Sequence, residues 1–170
     1  MQIKELASKS EFDTIYKIEI FIETLGGVYP LSSLLPDSWH FAQKKGARLH
    51  TDPYRKLVVV PMDYFNNIGN NFSLVHETGH AHIDETKEYG EIDEEIYLRD
   101  KLNHMGKLSF SESEKIRYKT LVIACEIEAW KYAIDKIIQL KEKGVNLEPQ
   151  LSIKDLKDIA GKKLKTYLLE

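Results

Sequence analysis

The run His76-Glu77-Thr78-Gly79-His80 constrains this chain more than any other feature, because its chemistry requires an α-helix. Histidines four residues apart project from the same side of a helix, one turn above the other. Their ring nitrogens can then grip one metal ion, while Glu77, on the adjacent side, points at a water on the open position. That set of parts activates water for attack on a carbonyl. The plainer alternative is a polar helix that carries two chance histidines.

A catalytic zinc ion takes three protein ligands plus water, so a third donor must come from elsewhere in the chain. His82 follows His80 by only two residues and faces away from the pair on an unbroken helix. Ile83 and Thr86 occupy the places where a continued helix motif would carry a glycine and a third histidine. The stretch Ala124-Cys125-Glu126-Ile127-Glu128-Ala129-Trp130 offers two carboxylates in otherwise apolar surroundings. Glu126 has Val122, Ile123, Ala129, Trp130 and Ala133 as helical neighbours, whereas Glu128 lies near Lys131, Tyr132 and Asp135. A carboxylate on an apolar face needs a cation to offset its desolvation, which favours Glu126 as the ligand. Glu128 stays the alternative third ligand, with a solvent-facing charge as its plainer explanation. For Glu126 the plainer explanation is a buried salt bridge.

Composition narrows the class. With 170 residues, 42% hydrophobic and 30% charged, the chain reads as one globular domain spanning 1-170. A net charge of −3 gives no basic footprint for nucleic acid, so none is expected as a partner. The lone Cys125 allows no internal disulfide and suits a reducing compartment. The opening residues Met1 to Leu6 lack a signal-peptide pattern, and no apolar run reaches bilayer length. A cytoplasmic protein with no membrane partner is the expectation.

The motif sits in an α+β reading that is mostly helical, with a small sheet. Phe12, Ile15, Ile18, Ile22 and Leu25 recur at helical spacing, which predicts an N-terminal helix over 10-25, capped by Ser10. Residues 29–46 read as loop and short turns, with a brief helix starting near Trp39. Alternation and β-branched residues on either side of Asp52-Pro53 predict a hairpin over 47-60. The motif helix is expected over 72-84, capped from the loop Asn66 to Asn71. A short helix follows Gly90 and ends near Met105-Gly106. Ser111 and Glu114 form a capping-box pattern that opens a long helix over 112-143, closed by Gly144, and a final helix spans 153-168. Gly79 costs about 1 kcal/mol of helix propensity but lets another backbone come close, as a strand packed over the site would. Small Ala129 and Ala133 let the long helix approach the motif helix.

His76-Glu77-Thr78-Gly79-His80, followed by Glu126-x-Glu128-Ala129-x-x-x-Ala133, resembles the gluzincin zinc metallopeptidases. The chain looks closest to the ImmA/IrrE-like and HtpX-like branches, over roughly residues 47 to 137. The resemblance implies a zincin-like fold, Zn2+ as the cofactor and Glu126 as the third zinc ligand. It also implies that the hairpin is the family's small sheet, whose edge strand holds a peptide or protein substrate in extended form. Where the family usually has Asp or Asn, this chain has Trp130. In relatives that polar residue often orients a zinc-bound histidine. Another residue must take that role here, or the helix register is shifted, or the site is weakened. The 45 residues between His80 and Glu126 also exceed the usual ImmA-like spacing.

The activity this predicts is zinc-dependent peptide-bond hydrolysis, with His76, His80 and Glu126 as ligands and Glu77 as general base. The oxyanion needs a further donor, and His104, Tyr118 and Tyr132 are the candidates, with His104 in a loop where such donors often occur. One rival reading is a non-catalytic zinc-binding interaction module; retention of Glu77 argues against it, because a structural site needs no base. Another is an ImmA-like regulator that acts on a protein partner, which rests on family analogy alone.

Overall fold

In Ile18-Glu19-Ile20-Phe21-Ile22-Glu23 isoleucine recurs at every second position, and that period of two, not the helical one, decides their structure. In the computed structural model, which describes residues 2–6, 15–24, 27–64, 71–86, 111–145, 147 and 151–169, they form a strand. This strand, β2 (Ile15–Thr24), buries Ile18, Ile20 and Ile22 on one face. The helix expected over 10-25 is therefore corrected over 15–24, and the rest of that range, with its cap at Ser10, lies outside the described residues. Ile18 and Ile22 fit both periods, but Ile20 between them fits only a pleated strand packed on a core, and Ile15, an odd number of residues away, packs on the other face.

The sheet is larger than a hairpin. Strand β1 (Gln2–Leu6) pairs antiparallel with β2, and β3 (Gly27–Pro30) folds back antiparallel onto the end of β2. A 3-10 turn, Leu31–Leu34, follows. Then come β4 (His40–Lys44), β5 (His50–Asp52) and β6 (Leu57–Pro61). The strand order is β1-β2-β4-β6-β5, six strands with β3, and β4 to β6 is a parallel pair in an otherwise antiparallel sheet. The expected hairpin is present as β5 and β6, paired His50 to Val59 and Asp52 to Leu57.

The loop expected over residues 29–46 is corrected in part. It contains β4 at the centre of the sheet, and its brief helix precedes Pro36 instead of starting near Trp39. A segment as polar as His40-Phe41-Ala42-Gln43-Lys44 becomes a strand because β2 and β6 supply ladders on both sides.

Three α-helices are described, and they cover one face of the sheet. Helix α1 (Asn71–Thr86) carries the motif, α2 (Glu112–Glu142) is the long helix, and α3 (Ile153–Leu169) ends the chain. Val58 and Val60 of β6 join Ile18, Ile20 and Phe41 in the core beneath α1 and α2, with Phe72, Leu74, Val75, Trp130, Ala133 and Ile137. Alternation sends Leu57 and Val59 to the other face, into a smaller cluster with Ala42. Helix α2 packs against both α1 and α3. Its capping box is made as expected: Glu114 N donates to Ser111 Oγ at 3.3 Å and Ser111 N donates to Glu114 Oε2 at 2.9 Å. Gly144, at φ 75°, ends the helix, and Val145 N donates to Leu140 O at 2.9 Å. The loop 66–70 and the short helix after Gly90 lie outside the described residues. None of the described helices is long and apolar enough to cross a membrane.

The end of α1 is pinned to the sheet through Glu85. Its Oε2 accepts from Lys56 Nζ at 2.8 Å and from Trp39 Nε1 at 3.0 Å. The Lys56 hydrogen bond, then that from Trp39, holds the Glu85 carboxyl below its ordinary range. A group depressed in the folded state stabilises it above the unfolded pKa, and the gain fades as pH falls through the folded value. Glu85→Gln is accordingly expected to lower the melting temperature at pH 7, with the difference from wild type shrinking as the pH is taken below about 4. Melting curves across pH check this, and a gap that persists at low pH would contradict it.

Candidate metal centre

Helix α1 presents His76 and His80 from one stripe, continuing the line of Phe72 one turn earlier. Their Nε2 atoms lie 3.2 Å apart. Glu126 reaches across from α2 and touches both rings, Oε2 at 3.3 Å from His76 Nε2 and Oε1 at 3.3 Å from His80 Nε2. Among the described residues these three form a group that can offer a metal ion one atom each, all within 4.8 Å of one another.

Two facing imidazole nitrogens at this distance require either a proton on one of them or a shared cation between them. A tetrahedral ion bonded at about 2.0–2.1 Å spaces its ligands about 3.3 Å apart, close to the 3.2 Å between the two imidazole nitrogens and the 3.3 Å from each of them to one or the other carboxylate oxygen of Glu126. Two imidazoles and a carboxylate suit a divalent transition metal. The residues therefore fit a metal ion.

The electrostatics agree with a cationic neighbour. Burial pushes the Glu126 carboxyl up, but hydrogen bonds from His76 and His80, with their charges, outweigh it and hold the group well below the usual carboxylate range. The carboxylate thus stays ionised in a half-buried place where it needs positive charge. Glu128 does not share this role. It points to the other side of α2, where Oε1 accepts from Lys131 Nζ at 2.5 Å with its side chain 40% exposed. The choice of Glu126 over Glu128 follows from helix rotation, since residues two apart point about 200° away from each other.

Gly79 explains how α2 comes close enough. A Cβ there would lie 2.9 Å from Ala129 O and 3.0 Å from Ala129 Cα. The close neighbour is thus a helix backbone, not the strand expected from sequence. Gly79→Ala should destabilise the fold by about 1–3 kcal/mol, because a backbone cannot rotate aside. The gain in helix propensity, about 1 kcal/mol, is too small to compensate. Ala129 lies three residues past Glu126, so metal affinity should fall as well. Thermal melts with and without added metal test both effects, and an unchanged melting temperature would show that the helices separate freely.

Glu77 lies just beyond the ligand stripe and is held by the sheet. Thr51 of β5 places its hydroxyl 2.8 Å from Glu77 Oε2 and 3.1 Å from the Glu77 carbonyl. Tyr64 is a further phenol near this carboxylate: burial, then the negative charge of Glu77, pushes its hydroxyl well above the ordinary range, against a hydrogen bond with the Leu74 backbone. Neither Thr51 nor Tyr64 stands out in the sequence. The alternation of β5 could have marked Thr51 as facing a neighbouring layer, but nothing local names α1 as that layer.

The structure sorts the remaining candidates. His82 stays off the cluster, as its position predicts: Nε2 is 2.9 Å from Leu34 O, and the ring packs on Tyr132 with centroids 4.8 Å apart. Tyr132, six residues past Glu126 and so on another face of α2, is engaged elsewhere. Its hydroxyl donates to the same Leu34 carbonyl at 2.9 Å, and burial pushes its pKa up to about 12. One carbonyl of the 3-10 turn therefore ties α1 and α2 together. Tyr118 lies about two turns before Glu126 on the same helix, about 12 Å away along the axis. His104 lies outside the described residues.

Trp130, four residues past Glu126 on α2, lies flat against His76, with ring centroids 3.8 Å apart and planes 19° from parallel. No family model, curated protein or solved structure matches this chain, so the chemistry of the site rests on its own residues.

Proposed function

We propose that this protein is a zinc-dependent peptidase of the gluzincin type, with His76, His80 and Glu126 as zinc ligands and Glu77 as general base. The observation that carries the reading is the spacing of the three donor groups, 3.2–3.3 Å in each pairing, with a glutamate next to the first histidine. A metal site that served only to stabilise the fold would have no use for that glutamate, nor for a hydroxyl holding its carboxylate.

When bound, zinc supplies the acidity that makes water a nucleophile near neutral pH. Glu77 accepts the water's proton at its carboxylate and afterwards delivers it to the leaving amine. The hydrogen bond from Thr51 fixes the carboxylate in one rotamer while leaving its second oxygen available. Tyr64 offers a neutral phenol near the same carboxylate. Strand β5 stands at the end of the described strand order, so a substrate backbone can pair along its outer edge in extended form. Thr51 belongs to that strand, which would link substrate alignment directly to the position of the base.

The test is metal analysis of purified protein together with cleavage of a broad peptide library. About one zinc per chain, and hydrolysis that a chelator abolishes and added zinc restores, would support the proposal. A zinc-loaded chain that cleaves nothing would leave a binding site without the chemistry.

A further inference from the structure

We propose that Trp130 is the positioning residue for His76, holding the imidazole by its face so that Nε2 points to the metal; this rests on the metal-centre reading above. A histidine that binds metal through Nε2 is ordinarily oriented by a hydrogen bond at its other nitrogen. His76 Nδ1 is buried and has no hydrogen-bond partner among the described residues. His76 as a residue is only 5% exposed, so bulk water is not a general substitute. Something other than a hydrogen bond must define its plane.

The indole meets that requirement. At 3.8 Å and 19° it covers one face of the imidazole, and rotation of His76 about its χ2 would drive the ring edge into Trp130. Trp130 is itself held from behind by Phe72, with centroids 4.9 Å apart at 50°. Phe72 and His76 lie one turn apart on α1, while Glu126 and Trp130 lie one turn apart on α2. The same face of α2 therefore supplies a ligand and the plate that orients the facing ligand. The indole Nε1 is also buried without a partner among the described residues, so contact through the ring face is what this side chain offers here.

The stack acts on affinity as well as direction. An imidazole gains positive charge when its nitrogen binds a metal, and the indole π-face attracts a cation better than any other side chain. Trp130 thus favours the metal-bound form of His76. Phenylalanine keeps a weaker version of the same face, while leucine keeps apolar volume without it.

Zinc affinity is measured by chelator competition for wild type, Trp130→Leu, Trp130→Phe and Ile137→Ala. Ile137 is a buried α2 residue of the same core, so its truncation controls for general loosening. The expected result is a loss of about 10-fold or more for Trp130→Leu, in the range that outer contacts of metal ligands command. Trp130→Phe should fall only about 3-fold, and Ile137→Ala should lower the melting temperature with affinity unchanged. Equal affinity for wild type and Trp130→Leu overturns the proposal and leaves the metal centre standing, as does an equal loss in Trp130→Leu and Ile137→Ala. A wild type with no zinc site overturns the metal-centre reading and this inference with it. Should Trp130→Leu fail to fold, the metal-free wild type still decides. Its His76 ring protons must resonate upfield under the indole ring current, and ordinary shifts for them overturn the stack.

Discussion

Glu77→Gln is expected to abolish peptide hydrolysis while the protein keeps its metal and its fold. The amide matches the carboxylate in shape and can still accept the Thr51 hydrogen bond now made at 2.8 Å. It cannot accept a proton from water. General-base catalysis commonly contributes about two to four orders of magnitude, and turnover should fall by that much. Zinc content and melting temperature should stay close to wild type, because Glu77 is not among the grouped ligands. Undiminished turnover in this variant would show that another base acts. Thr51→Val should cause a smaller loss, since it frees the carboxylate to rotate without removing it.

The second large effect separates the two glutamates of α2. Glu126→Gln should weaken zinc binding by more than about 100-fold, because even outer contacts to a ligand cost about 10–100-fold. On the proposed function, wild type in excess zinc should gain stability by mass action, about 4 kcal/mol when free metal stands at 1,000 times its dissociation constant. The variant should lose that metal-dependent rise in melting temperature. Glu128→Gln should leave affinity unchanged, and its half-exposed pair with Lys131 contributes only about 0.2–0.5 kcal/mol. Titration calorimetry and melts with and without zinc distinguish the two. Metal loss in Glu128→Gln and not in Glu126→Gln would mean that α2 turns a different face to α1 when metal is bound.

The candidate site was more legible in the sequence than the sheet was. A helix converts spacing directly into direction, so two histidines four apart, a glutamate beside the first and His82 facing away were all readable from residue order alone. The apolar flank of Glu126 singled it out for the same reason, and Gly79 announced a close approach. The cap at Ser111 is equally local, and α2 begins directly after that residue.

Strands are determined differently, because their hydrogen bonds run to partners far away in sequence. Ile18 and Ile22 satisfy a helical period as well as a strand's, and only the ladders to β1, β3 and β4 decide between them. His40 to Lys44 carries no strong local signal and becomes the centre of the sheet through β2 and β6. Contacts across layers were beyond the sequence for the same reason. Thr51 meets Glu77 across a sequence separation of 26, and the stack of Trp130 on His76 depends on where two helices cross. The chain order determined which residues could bind a metal; the packing of α2 and β5 against α1 decided what holds those residues in place.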